Sequence, residues 1–254
     1  MNFPIYCIII KVIKKMEANM KIIFSPTKSM DFSNSIKSPL KINFSHKTNF
    51  LLKVLNNLSI DEIAKIMKIK GNTLNHIDEV YKNFQNANTK KAITAYNGIS
   101  FKQLNLDNYN KEDMNFLDTH LIILSALYGV VQPFNLIKEY RLDMNMKILK
   151  EQSLYKFWND EINQYFKEDE LILNLASKEF SKLIKKPMIT IDFKEKKGDI
   201  YKSVSTYSKK ARGLMLDYII KNKITTVHEI KKFNLDGYSL NNQLSNKIIL
   251  IFTR

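Results

Sequence analysis

Short apolar runs, each cut off by a polar or turn residue, constrain this chain more than any other feature. Leu121–Leu124 is long enough for a buried strand and stops at Ser125. Lys21–Phe24 stops at Ser25-Pro26, and Leu171–Leu173 at Asn174. Ile189, Ile191 and Phe193 alternate with polar positions. Lys197-Gly198-Asp199 then supplies a turn, so that Ile200–Val204 can return antiparallel. A last apolar run covers Ile248–Phe252. Between these runs the apolar spacing is helical: Leu51, Leu52, Leu55 and Leu58; then Leu154, Phe157, Trp158 and Ile162; then Ala211, Met215, Tyr218 and Ile219. Lys111–His120 can form a helix leading into Leu121. Short strands interleaved with helices predict a mixed α/β (α+β) fold in a single compact body. No run approaches the length needed to cross a bilayer.

The ends of these runs carry the chemistry. Beyond Ser125, Gly129 and Pro133 are expected to break regular structure on either side of Val130 and Val131, because proline lacks a backbone donor and disfavours helix before it. The resulting loop would deliver Arg141 and Asp143 from a rigid strand. Thr27, Lys28 and Ser29 emerge in the same way behind Lys21–Phe24. Asn174, Ser177, Lys178 and Glu179 lie at a strand-to-helix junction, where they cap a helix or face a cleft. Lys209, Lys210 and Arg212 fall in the first turns of a helix, where cations oppose the helix dipole. Either solvent or a bound anion must offset them. Ile93 and Ala95 read as a short strand before an Asn97-Gly98 turn.

Charge narrows the set of partners. The chain has 40 Lys and Arg against 25 Asp and Glu, a formal net charge of +15. Lys178–Lys223 alone holds 13 basic and 5 acidic residues, a net of +8. Such a balance favours attraction to polyanions. Residues 59–85 predict a helical hairpin. Ser59 and Glu62 fit a capping box, and Lys65, Lys68 and Lys70 sit beside the turn at Gly71. This is a helix-hairpin-helix-like appendage in which turn amides and lysines can meet phosphates. A purely structural hairpin has the same pattern. The single cysteine, Cys7, excludes an intrachain disulfide, and the four histidines lack metal-ligand spacing. No cofactor or metal is expected. Residues 1–19 read as an N-terminal extension, with Ile5–Ile10 too short to span a membrane, and residues 20–254 as the folded domain.

Several motifs together resemble the YaaA family of bacterial peroxide-stress proteins. They are K-I-I-F-S-P-T-K-S-M-D-F at Lys21–Phe32, L-S-A-L-Y-G-V-V-Q-P-F-N at Leu124–Asn135, Y-R-L-D-M at Tyr140–Met144, N-L-A-S-K-E-F at Asn174–Phe180, and Y-S-K-K-A-R-G at Tyr207–Gly213. The resemblance implies a cytoplasmic protein that limits oxidative damage, is linked to control of intracellular iron and binds DNA. It also implies a positively charged cleft and a helix-hairpin-helix element. Lys68, Lys70 and Gly71 match the hairpin position, and Lys28, Arg141, Lys209, Lys210 and Arg212 are the cleft candidates. Thr27 and Ser29 depart from the usual S-P-A-K-T pattern, and Gln132 stands where an arginine is common before Pro133.

Two functions follow as expectations. The first is a DNA-binding stress protein that contacts duplex phosphates largely without regard to sequence. The second is an enzyme acting on a phosphorylated or nucleotide-like small molecule. In that reading Ser25, Lys28, Tyr128, Arg141 and Lys209 converge, Arg141 and Lys28 hold an anion, Tyr128 or a lysine moves a proton, and Asp143 orients Arg141. No recognised catalytic constellation decides between them.

Overall fold

The computed structural model describes residues 19–254. The expected extension, except Asn19, and Cys7 therefore lie outside the described residues. The chain opens with strand β1 (Lys21–Phe24), followed by helices α1 (Ser45–Asn56), α2 (Ile60–Met67) and α3 (Asn72–Lys82). Helix α4 (Lys111–His120) runs directly into β2 (Leu121–Ser125), and β3 (Gly129–Val131) folds back on it. Helix α5 (Leu154–Tyr165) precedes β4 (Ile172–Asn174), β5 (Met188–Lys197) and β6 (Ile200–Lys202). The long helix α6 (Ser205–Lys221) leads to β7 (Ser239–Leu240) and β8 (Ile249–Thr253).

Eight strands form one mixed sheet in the order β3-β2-β1-β4-β5-β8-β7, with β6 hairpinned on β5. Five of them, β2-β1-β4-β5-β8, are mutually parallel. In chain order these read 2-1-3-4-5. From β1 the chain goes first to one side, to β2, and then returns to the other, to β4. The crevice between the carboxyl ends of β1 and β4 is thus a topological switch point, the usual place for a ligand in an open parallel sheet. The central strands are buried on both faces: Ile22, Ile23 and all of Leu121–Leu124 are inaccessible or nearly so. This accounts for their unbroken apolar character.

Three expectations change. Val130 and Val131 belong to strand β3, paired antiparallel with Leu124 and Ile123, and not to a loop. Ile93 and Ala95 lie in a helical turn, Ala92–Ala95, because the preceding strand pairing ends at Lys91 and the Tyr96 amide closes onto the Ala92 carbonyl. The helical pair α2–α3 has the expected Ser59–Glu62 capping box. However, its Ile63, Met67, Ile77 and Tyr81 join the main core, so it is part of the body and not an appendage.

The β2–β3 turn depends on Gly129. Its φ of 74° is left-handed, and an added Cβ would lie 2.7 Å from Trp158 Cζ3 and 2.9 Å from Phe44 Cδ2. Trp158, fully buried, donates its indole N–H to the Ala126 carbonyl at 2.8 Å and so pins the same turn. Gly129→Ala should cost about 1–3 kcal/mol through overpacking. Urea unfolding followed by the fluorescence of the single tryptophan should show the midpoint fall; an unchanged midpoint would refute this packing account.

Candidate functional site

A cavity of about 340 Å³ opens at the switch point. Its walls come from four segments: Phe24–Ser29 after β1, Gly98–Phe101, Tyr140–Asp143, and the stretch after β4 that contains Leu175, Ser177, Glu179 and Phe180. Lys209 and Arg212 of α6 close it.

Each wall has a local reason for its position. Ser25, at the end of β1, accepts a hydrogen bond from the Ser177 amide at 2.8 Å, and the two hydroxyls are 3.2 Å apart. These contacts tie the exits of β1 and β4 together. The loop after β1 is zipped to the next wall by backbone bonds from Asp31 to Ala95 and from Asn97 to Ser29, 2.8 and 2.9 Å long. Helix α6 approaches that wall closely at Gly213, where an added Cβ would sit 2.1 Å from the Ser100 carbonyl oxygen. Only glycine permits this approach, and it carries Arg212 into the cavity.

The Arg141 wall rests on Tyr81 of α3. The Tyr81 hydroxyl donates to the Arg141 carbonyl at 2.6 Å and accepts from the Arg141 amide at 3.2 Å. Below it lies a buried hydroxyl chain. Tyr140 is 2.9 Å from the Tyr96 hydroxyl and 2.7 Å from Ser125 Oγ. Burial is the largest influence on the Tyr140 phenol, which is pushed up to about 12.

The polar side chains in the cavity are unevenly satisfied. Lys28 and Asp143 form an ion pair of 2.6 Å across it. Arg212 reaches Asp192 only at 3.9 Å. The Nε atoms of Arg141 and Arg212 and Oε1 of Glu179 are buried without a hydrogen-bond partner. Burial raises the Glu179 carboxyl above its ordinary range, with Asp143 adding to the rise and the backbone N–H groups of Asn145 and Met144 opposing it. Burial also lowers the Arg212 guanidinium from its usual value, although a guanidinium remains charged at any physiological pH. Helix α6 has no acidic residue in its first turn and no side-chain cap, so its positive end adds to the field of Lys209 and Arg212. Two guanidinium Nε donors and one carboxylate oxygen on residues lining one cavity are thus left without a partner.

The residues singled out from sequence separate into three groups. Ser25, Lys28, Arg141, Asp143, Lys209 and Arg212 all line the cavity. Tyr128 does not. It is fully buried behind the wall, its hydroxyl donates to the Lys138 carbonyl, and its ring packs edge-on against Tyr140. Lys210 turns away to pair with Asp236 at 3.0 Å. Lys68, Lys70 and Gly71 are exposed at the α2–α3 turn and do not line the cavity. In that turn Lys68 and Gly71 both have positive φ, 53° and 58°. Gly71 caps α3 without a side-chain hydrogen bond, and the first turn of α3 holds no acidic residue. Its leading amides are therefore open to an anion.

Glu179 and Ser177 were visible in the sequence only as polar residues at a junction; their place in the cavity depends on the β1–β4 pairing. Tyr140 lay within the Y-R-L-D motif but gave no separate signal. Among the described residues, no three or more His, Cys, Asp or Glu side chains are grouped to hold a metal ion, and no helix is long and apolar enough to cross a membrane.

The family profile described as peroxide stress protein YaaA matches residues 20–244. The chain belongs to this family. A UPF0246 protein of Fusobacterium nucleatum is 48% identical over 250 residues, covering 92% of this chain and 99% of the relative. UPF0246 proteins of Francisella tularensis and Francisella philomiragia are 37% and 36% identical, each covering 92% of this chain and 100% of the relative. Met20, the first matched residue, is fully buried, and its carbonyl is 2.6 Å from His120 Nδ1.

The Ser25–Ser177 tie can be tested separately from any ligand. Ser25→Ala leaves the half-buried Ser177 amide without its acceptor and should cost about 1–2 kcal/mol. Chemical denaturation should report that loss, and a variant as stable as the parent would show that the tie does not hold the two strand exits.

Proposed function

We propose that this peroxide-stress family member acts by binding a compact anionic ligand, phosphorylated or nucleotide-like, in the switch-point cavity. One observation carries the reading: Arg141 and Arg212 line the same cavity, and the Nε–H of each is buried without a hydrogen-bond partner. A buried unsatisfied donor costs on the order of 1–3 kcal/mol and persists where a ligand repays it. A guanidinium matches phosphate and carboxylate geometry better than any other side chain. Lys28 and Lys209 add charge at the mouth, and Asp143 holds Lys28 in place until the anion arrives. The cavity suits a small molecule and is too small for a duplex about 20 Å across.

Phosphate and pyrophosphate serve as probes of the anion site. Both should raise the melting temperature of the wild-type protein in proportion to the logarithm of their concentration. Arg141→Met and Arg212→Met should each weaken binding about tenfold or more in calorimetric titration. Equal affinity in wild type and both variants would remove the basis of the reading.

A second reading is favoured by the α2–α3 turn. The open N-terminus of α3, flanked by exposed Lys65, Lys68 and Lys70 on a chain of net charge +15, is suited to duplex phosphates. Binding of this kind reads little sequence. It would act in peroxide stress by covering DNA and so limiting iron-linked oxidative damage. Fluorescence titration against random duplexes should show affinity falling steeply with salt. Lys68→Ala and Lys70→Ala should each reduce the log–log slope by about 1. A slope unchanged in the double variant would place any DNA contact elsewhere.

A further inference from the structure

We propose that the cavity is a nucleoside monophosphate site in which Arg141 and Arg212 take the phosphate and Glu179 reads an N–H group of the base. This rests on the reading of the cavity as an anion site and adds the identity of the second half of the ligand.

The argument starts from Glu179. Two unpaired guanidinium donors explain an oxyanion alone, and inorganic phosphate or a sugar phosphate would satisfy them. Glu179 is a different matter. A carboxylate lining the cavity would repel a purely anionic ligand, yet Glu179 lines it and its buried Oε1 has no hydrogen-bond partner. Such an acceptor requires a donor from the ligand. The ligand therefore carries a negative group at one end and an N–H or O–H donor at the other.

The remaining wall selects among such ligands. Phe24, Ile99, Phe101, Leu142, Leu175 and Phe180 also line the cavity. Apolar side chains accommodate the faces of a planar heterocycle and leave the hydroxyls of an open sugar unpaired. A nucleobase meets both requirements. Each common base presents an apolar face together with at least one N–H on its pairing edge. The cavity of about 340 Å³ falls at the lower end of the range for drug-sized ligands, which suits one nucleotide and not an oligonucleotide. The position of the cavity outside the carboxyl ends of β1 and β4 agrees with the same class of ligand.

The roles divide by element. Arg212 is delivered by α6 and Arg141 by the strand-to-loop stretch anchored on Tyr81. Glu179 comes from the short helical turn Lys178–Ser181 that follows β4. The Tyr155 hydroxyl, donating to the Glu179 carbonyl at 2.9 Å, holds the backbone of that turn. The acceptor is thus fixed before a ligand enters, which suits discrimination by an unpaired buried group.

The test is calorimetric titration of the full chain with GMP, AMP, CMP, UMP, ribose 5-phosphate and inorganic phosphate, repeated on Glu179→Leu. Glu179→Leu removes the unpartnered Oε1 together with the carboxylate's contacts to the Asn145 and Met144 amides, so a thermal melt first confirms that the variant is folded. At least one nucleotide is expected to bind about tenfold or more tighter than ribose 5-phosphate. Glu179→Leu should erase most of that advantage while leaving phosphate affinity the same or higher. If ribose 5-phosphate or phosphate binds as tightly as every nucleotide, or if the advantage survives Glu179→Leu, the base-reading role is overturned and the anion site stands. If none of the six probes binds, the anion site falls as well.

Discussion

Strand β1 is four residues long, and the site depends on how it is paired. Ile22, Ile23 and Phe24 align in parallel with Leu121, Ile122 and Ile123 on one side, and Lys21, Ile22 and Ile23 with Ile172, Leu173 and Asn174 on the other. Parallel pairing makes all three strands end at the same edge of the sheet. Burial on both faces makes the register hard to change, since a slip by one residue would exchange every side chain between faces. The chain leaves β1 toward β2 and returns beyond it to β4, so no crossover covers the gap between the β1 and β4 exits. That gap is the cavity. The Ser25–Ser177 contact closes its base, and the loops after Phe24 and Ser177 become its facing walls.

The charge of the molecule is distributed in a way that supports this reading. Many cations are already matched: Lys210 and Arg254 with Asp236, Lys186 with Glu168, Lys90 with Asp31, and Lys221 and Lys223 with the buried Asp113. Asp113 is held near 2, chiefly by its bond to Lys223. This carboxylate therefore supports the fold above pH 4 and loses that contribution as the pH falls toward 2. The exposed pairs among the others contribute little each. In the cavity Lys28 is paired with Asp143, but the two arginines are less well matched. Arg141 and Arg212 are sheltered from water, yet neither guanidinium has a carboxylate in close contact. A net charge of +15 speaks for polyanions in general, whereas this local mismatch speaks for one small anion in one place.

Much of the fold was legible in the sequence because its elements are signalled locally. Apolar runs ending in Ser25, Ser125 and Asn174 marked the parallel strands, and helical spacing marked α1, α5 and α6. The Ser59–Glu62 capping box marked the start of α2. The readings that changed involve contacts distant in sequence. Gly129 and Pro133 signal breaks on either side of Val130 and Val131, but the left-handed Gly129 turns the chain back so that both valines pair with β2. The helical pair at residues 59–85 was expected to stand apart, but its apolar faces continue into the core. Tyr128 resembled a cleft residue from its motif, and the β2–β3 hairpin buries it behind Tyr140.

The sequence by itself determined the mixed α/β class, the positions of the main strands and helices, the surplus of positive charge and the kinship with the peroxide-stress family. These follow from local patterning and motif order, which do not require knowledge of what packs against what. Only the tertiary structure decided which charged residues meet. Lys28, Arg141, Arg212 and Glu179 come from four separate segments, and the parallel order of the sheet brings them to one edge. Lys209 and Lys210 are adjacent in the chain, yet one lines the cavity and the other pairs with Asp236. Neighbouring residues on a helix point about 100° apart, so adjacency in sequence does not place two side chains in the same site.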